Sequence, residues 1–232
     1  MTLTTAQRRM LLIGVVPLLL LVIGGAAVTV ALIRGKLPFD YAATMAVGPQ
    51  GVRIVSSIPT QVIGGASSQV RISVSGTYAA QRPVIESRTI DGVLDIRTSC
   101  PGAHCELQLT IEVPEAAAVQ AKTQGASLEL AGLAGKLKAD TDGGSVTMSR
   151  IRSPQVSVDG RRGSVTMQFD DPPEQVTAIA SDGSIDLRVP QTTTYTIDAV
   201  SAQGSTDIVP VNDPAATHHL FLRTSYGSIN VS

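Results

Sequence analysis

Apolar and polar residues alternate over most of the chain after residue 50, which predicts β-strands with one buried face. The alternation is clearest after six serines in the second half of the chain, where Thr206 is the exception at an inward position. A second short strand precedes most of these serines. Successive serines are 18, 19, 20, 21 and 23 residues apart; the six are Ser127, Ser145, Ser164, Ser184, Ser205 and Ser228.

Each of these serines follows a glycine. Five glycines directly precede their serine, whereas the first lies two residues before it; the six are Gly125, Gly144, Gly163, Gly183, Gly204 and Gly227. Glycine adopts positive φ without steric cost, so it suits a sharp turn between two strands. Each repeat is therefore predicted to be strand, glycine turn, strand and loop, with prolines in the loops.

Repeats of about 20 residues that cannot bury their own apolar face are typical of solenoids. We therefore predict an all-β fold, with residues 115–232 forming a β-solenoid (β-helix-like) in which the six serines form a hydrogen-bonded corner ladder. A β-sandwich of successive hairpins is the alternative. The chain ends at Ser232 directly after a strand, so we expect the last repeat to be exposed and able to pair with another chain.

Residues 50–114 show the same alternation with a weaker repeat. Leu107–Pro114 is a well-formed strand that ends in proline, and Asp91-Gly92 is typical of a hairpin turn. We expect this portion to cap the first end of the repeats, giving a β-repeat domain over 50–232. Residues 34–49 are interpreted as a tether.

Residues 10–33 contain no charged side chain, and 24 such residues are enough for a transmembrane helix. The alternative is a cleaved signal peptide, with small residues near Ala26 as the cleavage site. Arg8 and Arg9 favour a cytoplasmic tail over 1–9, although Arg34 and Lys36 oppose this orientation. We expect a single-pass membrane protein whose C-terminal domain lies outside the cytoplasmic membrane.

Two cysteines, Cys100 and Cys105, enclose a Pro-Gly turn and are the only cysteines in the chain. We interpret them as a disulfide, which needs an oxidising compartment and supports this topology. The alternative, a metal or redox pair that includes His104, lacks the second ligand pair of a zinc site and the two-residue spacing of a thioredoxin-like motif.

The domain after residue 36 is mildly acidic, because all 19 acidic side chains but only 14 of the 18 basic ones lie there. This argues against nucleic acid as the partner. The chain has no Trp, three Phe and four Tyr, which argues against an aromatic sugar-binding cleft. One basic cluster consists of Arg150, Arg152, Arg161 and Arg162, and we expect Asp159, Asp170 and Asp171 to balance its charge.

Candidate catalytic chemistry is sparse, and we predict no enzyme activity, no cofactor and no metal site. The repeated Gly-Ser pairs lack the spacing of a nucleophile elbow, and a serine repeated six times is structural. His218 and His219 precede a strand without further nearby ligands. Four aspartates lie beside turn glycines without the spacing of a calcium loop: Asp140, Asp142, Asp159 and Asp182.

The succession of LQLTIEVP (Leu107–Pro114), AVQAKTQGASLEL (Ala118–Leu130) and recurring T-x-x-G-S-V units resembles the bacterial family of putative adhesins with β-strand repeats, also called the toastrack domain. The resemblance covers about residues 50–232 and implies a β-helical ectodomain in envelope-stress or adhesion settings, without catalytic residues. We therefore expect a binding or scaffold module of the cell envelope, with an envelope protein or wall polymer as partner. The alternatives are an adhesin that contacts other cells and, more remotely, a glycan-acting enzyme on a β-helix scaffold. The oligomeric state is open.

Overall fold

The computed structural model describes residues 35–102 and 104–232, together with Leu18, Leu21 and Val22. The predicted cytoplasmic tail and almost all of the predicted membrane segment lie outside the described residues. In the part of the chain that is described, no helix is both long and apolar enough to cross a membrane.

The described chain is built from strands, as the alternation predicts. The strands are β1 (Leu37–Ala46), β2 (Val52–Ser56), β3 (Thr60–Gly65), β4 (Gln69–Tyr78), β5 (Val84–Ile90), β6 (Val93–Ser99), β7 (Cys105–Pro114), β8 (Val119–Gln124), β9 (Leu128–Ala131), β10 (Leu137–Asp142), β11 (Val146–Ile151), β12 (Gln155–Arg162), β13 (Val165–Phe169), β14 (Gln175–Asp182), β15 (Ile185–Arg188), β16 (Thr196–Gln203), β17 (Thr206–Ile208), β18 (His219–Tyr226) and β19 (Ile229–Val231).

These strands form two sheets. The first has the order β1-β4-β7-β3-β9-β11-β13-β15-β19-β17 and the second the order β16-β18-β14-β12-β10-β8-β2-β6-β5. All neighbouring strands run parallel except the pairs β1–β4, β4–β7 and β5–β6. The all-β prediction is therefore confirmed, with both sheets dominated by parallel pairing.

Each repeat contributes one strand to the second sheet and the next strand to the first. Eight such pairs, from β2–β3 to β18–β19, stack in the same order in both sheets. We call each pair a unit, the side where the Gly-Ser turns join the two sheets the serine edge, and the opposite side the return edge.

The core lies between the sheets and consists mainly of aliphatic residues at the inward positions, with a few buried hydroxyl and aromatic side chains. One inward column runs through Leu128, Val146, Val165, Ile185 and Ile229, all nearly inaccessible to solvent. Full burial of such a side chain stabilises the fold by about 1.5–3 kcal/mol. The column ends at Thr206, which is exposed because its unit is the last of the stack.

The order of the units in space differs from their order in the chain at both ends of the stack. The unit β18–β19 lies between β14–β15 and β16–β17, so the C-terminal strand is internal. Ser232 exchanges backbone hydrogen bonds with Leu187 and Val189 of the neighbouring unit. The expectation that the last repeat of the chain is the exposed one was therefore wrong, and the exposed unit is β16–β17.

The first end of the stack contains two more units of the same kind. The unit β2–β3 lies between β8–β9 and β6–β7, and β1, β4 and β5 add antiparallel strands at the outside. Residues 37–46 of the expected tether form β1, whose ten residues all pair with β4. The tether interpretation overlooked the alternation of Phe39, Tyr41, Ala43 and Met45.

Candidate binding surface

The glycines before the repeated serines form a column in which neighbouring backbones approach closely. A Cβ built on Gly163 would lie 2.3 Å from the carbonyl oxygen of Gly144, and one on Gly183 would lie 2.3 Å from that of Gly163. Similar approaches, of 2.1–2.4 Å, occur at Gly144, Gly204 and Gly227. A side chain at these positions is therefore excluded by the adjacent unit, in addition to the positive φ that most of them adopt.

Gly125 lies outside this column. Its φ is +68°, but the position of its Cβ is open, and Ala126 takes the place next to Gly144. Its role is therefore limited to turn formation.

The six serines align along the serine edge, mainly through their backbone. The carbonyl oxygen of Ser145 accepts the N–H of Leu128 at 3.0 Å, and equivalent bonds link the other units. Hydroxyl bonds join the last three serines: Ser205 Oγ donates to Ser228 Oγ at 3.0 Å, and Ser184 Oγ accepts the N–H of Ser228 at 3.2 Å. In the described chain, the predicted hydroxyl ladder is thus limited to this end.

Cys100 and Cys105 form a disulfide where the unit β6–β7 crosses from one sheet to the other, with their Cα atoms 6.3 Å apart. The disulfide loop therefore takes the place that a Gly-Ser turn has in the regular units. His104 lies in this loop and is exposed.

A groove on the outer face of the second sheet brings together three basic side chains from separate parts of the chain. Arg53 on β2, Gln120 on β8 and Lys138 on β10 are register partners in one row across three strands. Lys136 lies directly before β10 and also lines the groove, whose volume is about 260 Å³. We call this site, with Arg53, Lys136 and Lys138 as its cations, the basic groove.

The residues that line the basic groove include no carboxylate. Apolar lining comes from Val93 and Ala118, and Arg53 Nε donates to Gln120 Oε1 at 3.1 Å. Lys138 Nζ lies 3.9 Å from Asp140 in an exposed pair, which neutralises little of its charge. The groove is therefore positive, although the domain as a whole is acidic.

Asp95 is the register partner of Arg53 on the other side, but its carboxylate is directed away from the basic groove. It is buried and accepts hydrogen bonds from Arg97 Nε at 3.2 Å and from the terminal nitrogen at 3.1 Å. The hydrogen bonds that Arg97 donates to Asp95 raise the pKa of Arg97 above its ordinary value. This carboxylate is thus engaged by Arg97 and leaves Arg53 available to a ligand.

A second groove, of mixed charge and about 330 Å³, lies next to the basic groove on the same face. It is lined by Lys122 and Arg161 and by three of the turn aspartates, Asp140, Asp142 and Asp159. In the described chain, no group of three or more His, Cys, Asp or Glu residues is arranged to hold a metal ion. This includes the four aspartates that lie near the turn glycines.

The carboxylates that form ion pairs with the arginine cluster are not those predicted from the sequence. Asp142 lies 3.1 Å from Arg162 and 3.8 Å from Arg161, and Glu115 lies 2.7 Å from Arg152. The prediction that Asp159, Asp170 and Asp171 balance these arginines was therefore wrong, because pairing across the strands brings Asp142 and Glu115 closer than neighbours in sequence.

The histidine pair is divided between two environments. The Nδ1 atom of His218 lies 2.7 Å from the carbonyl oxygen of Pro173, and its ring packs edge-on against Tyr195 with centroids 5.8 Å apart. His219 is exposed at the start of β18. The contacts of His218 are those of a packing residue.

The basic groove could not be found by sequence reasoning, because Arg53 lies about 80 residues before Lys136 and Lys138 in the chain. The available signal was the alternation, which places Arg53, Gln120 and Lys138 on outward positions of their strands. Their alignment in one row depends on β2 pairing with β8, and no local pattern specifies that pairing.

No protein-family model and no curated protein matches this chain. Among solved structures, the fold is similar to a putative cell adhesion protein from Clostridium sporogenes, with a TM-score of 0.44 and 14% identity over 84% of this chain and 99% of that chain. It is also similar to a putative adhesin from Bacteroides fragilis, with a TM-score of 0.49 and 12% identity over 85% of this chain and 97% of that chain. At these identities and TM-scores, the similarities do not assign a function.

Proposed function

We propose that the chain is a non-enzymatic, membrane-anchored binding module of the cell envelope whose basic groove holds an anionic envelope polymer. The observation that carries this proposal is the convergence of Arg53, Lys136 and Lys138 on one groove without a carboxylate in its lining. Close like charges oppose folding, so their presence is better explained by a ligand than by stability.

The architecture that we propose for this module is a β-solenoid. Three observations support it. Neighbouring units pair in parallel, the units follow the same order in both sheets, and the glycines form a column at the serine edge. A solenoid presents long, flat outer faces on which side chains of neighbouring units form rows, and such faces suit extended ligands.

The proposed location is outside the cytoplasmic membrane, with residues 10–33 as the anchor. The uncharged run of 24 residues supports the anchor. The pairing of Cys100 with Cys105 supports an oxidising compartment.

The chemistry of the groove favours a ligand with repeated negative charges. Arg53 and Lys138 lie two strand spacings apart, or about 9.6 Å, on the same row. Arg pairs well with planar carboxylates and phosphates, while Lys acts as a point charge. A phosphodiester or uronic-acid polymer of the wall can bridge these cations with successive charged groups.

The test is binding of a glycerol-phosphate polymer and of polygalacturonate to the protein, measured by calorimetry at several salt concentrations. We expect the double variant Lys136→Glu/Lys138→Glu to lose at least about tenfold in affinity, which equals about 1.4 kcal/mol. The matched control is Lys122→Glu, a lysine on the same face whose groove already contains three aspartates. Equal binding by the wild type and the double variant would contradict the proposal.

An adhesin is the second candidate, favoured by the end of the stack farthest from β1. Val209 and Val211 are 60% and 69% exposed there and, with Thr192–Thr194, line a groove of about 290 Å³. Cross-linking in intact cells with an impermeant reagent separates the two functions: capture of wall polymer or an envelope protein of the same cell supports the first, and capture of a foreign surface protein supports the adhesin.

A further inference from the structure

Three strand ends at the first end of the stack project beyond the serine edge. In the register of the first sheet, Leu109 of β7 pairs with Thr60 of β3, and Thr60 pairs with Leu128 of β9. Leu128 is the first residue after a turn at the serine edge. β7 begins at Cys105, four residues before Leu109, so it extends about 13 Å past that edge. β4 and β1 accompany it, since Tyr78 pairs with Cys105 and Leu37 pairs with Tyr78. We call this projection the foot; of the described residues it comprises 37–39, 76–84, 100–102 and 104–107.

The foot combines apolar, aromatic and basic side chains. Leu37 is 51% exposed and Val84 is 45% exposed. Phe39 and Tyr78 pack edge-to-face with ring centroids 5.9 Å apart, and the guanidinium of Arg82 lies 5.8 Å from the Phe39 ring. Side chains with an apolar body and a polar or charged tip are favoured at the boundary between lipid and water.

An ion pair joins Lys36, directly before the foot, to Glu106 within it. Lys36 Nζ lies 2.5 Å from Glu106, and this hydrogen bond lowers the pKa of Glu106 below its ordinary value. The exposed Arg82 carries a positive charge that can attract lipid phosphates, and the exposed His104 can donate a hydrogen bond to them.

The chain enters the domain through the foot. Only residues 34–36 lie between the uncharged run and Leu37, and β1 is paired with β4 from its first residue. The four residue steps from Ile33 to Leu37 span at most about 14 Å. A headgroup layer is about 5–7 Å thick on each side, so Leu37 cannot lie more than about 9 Å beyond the lipid surface.

We propose that the foot rests on the lipid headgroups of the membrane that anchors the chain, so that the bilayer is its partner. This inference rests on the proposed anchor over residues 10–33. It adds that the domain contacts the membrane through one defined part of its own surface, the foot. The opposite end of the stack, at the return edge, then faces away from the membrane.

The absence of Trp from the natural chain allows a single Trp to serve as a depth probe. The full chain is reconstituted in vesicles as Gln81→Trp, which places the probe at an exposed position of the foot, or as Val211→Trp, at the diagonally opposite corner. Lipids that carry a nitroxide at the headgroup quench the probe only when it is close. Flotation with the vesicles after an alkaline wash reports separately whether the chain is anchored.

We expect the chain to remain with the vesicles and Gln81→Trp to be quenched at least about twofold more than Val211→Trp. If the chain stays in the vesicles and the two probes are quenched equally, the anchor stands and the foot contact is refuted. If the chain leaves the vesicles during the wash, the anchor fails and the foot contact fails with it.

Discussion

The replacement of Gly163 by alanine tests the glycine column most directly. The new Cβ would lie 2.3 Å from the carbonyl oxygen and 2.6 Å from the carbonyl carbon of Gly144. Both atoms belong to backbone, so no side-chain rotation can relieve the contact. In addition, the φ of +132° at this position is unfavourable for any residue with a Cβ.

Two controls separate the conformational cost from the steric cost. Gly125 has φ +68° but open space around its Cβ, so Gly125→Ala should cost only the left-handed conformation, about 1–2 kcal/mol. Gly65 has open space and no positive φ, so Gly65→Ala should change stability by at most about 0.5 kcal/mol. Overpacking adds about 1–3 kcal/mol, which gives about 2–5 kcal/mol for Gly163→Ala.

The assay is urea unfolding followed by circular dichroism, with the free energy of unfolding obtained by linear extrapolation at an unchanged slope. We expect the loss of stability to follow the order Gly163→Ala, Gly125→Ala, Gly65→Ala. If Gly163→Ala costs no more than Gly125→Ala, the units do not approach as closely as the structure shows. The glycines would then be explained by turn conformation alone.

Three further predictions concern the ends of the stack. Asn212→Ala should cost about 1–3 kcal/mol and accelerate amide exchange at Ile197, since the Asn212 amide accepts the N–H of Ile197 at 2.9 Å and donates to its carbonyl oxygen at 3.2 Å; unchanged exchange would contradict this. Burial raises the pKa of Tyr195, so the unfolding free energy should fall as pH rises above about 10 towards the folded-state pKa, and Tyr195→Phe should reduce this dependence; equal alkaline slopes would refute it. The pair Cys100→Ser/Cys105→Ser should lower stability by about 2 kcal/mol, as expected for so short a loop, and an unchanged urea midpoint would count against the disulfide.

Strand positions and inward faces could be predicted from the sequence because both depend on local information. The side-chain period of two fixes which residues of a strand share a face. The alternation after Ser164 places Val165 and Met167 on one face, and both are buried; the same holds for Ile185 and Leu187 after Ser184. β1 is the exception, since its residues were assigned to a tether although apolar residues alternate along it.

The order of the units could not be predicted, because parallel pairing between distant strands has no local signature. After β15 the chain passes the position of β18–β19, forms the end unit β16–β17, and returns to place its last unit between β14–β15 and β16–β17. One signal was present in the sequence. Thr206 was noted as the polar exception on the inward face, and it lies in the end unit, where a neighbour on one side only leaves it exposed.

The end unit is closed by its own return loop. Asn212 occupies the backbone groups of Ile197 that a further strand would use, and Thr196 Oγ1 donates to the carbonyl oxygen of Asp213 at 2.9 Å. Tyr195 is fully buried beneath this loop and donates to the carbonyl oxygen of Pro190 at 2.7 Å. Part of the edge of β16 is thus protected against pairing with another chain, which is a common device at sheet edges.

Stability and the proposed binding depend on different positions of the same strands. The inward residues and the glycine column determine the stack, and exposed ion pairs contribute only about 0–1 kcal/mol each. Arg53, Lys136 and Lys138 therefore gain little for folding, and their like charges oppose it slightly. Replacement of Lys136 and Lys138 should leave the urea midpoint unchanged or raised while it weakens polyanion binding. A loss of stability that parallels the loss of binding would show that these lysines serve the fold rather than a ligand.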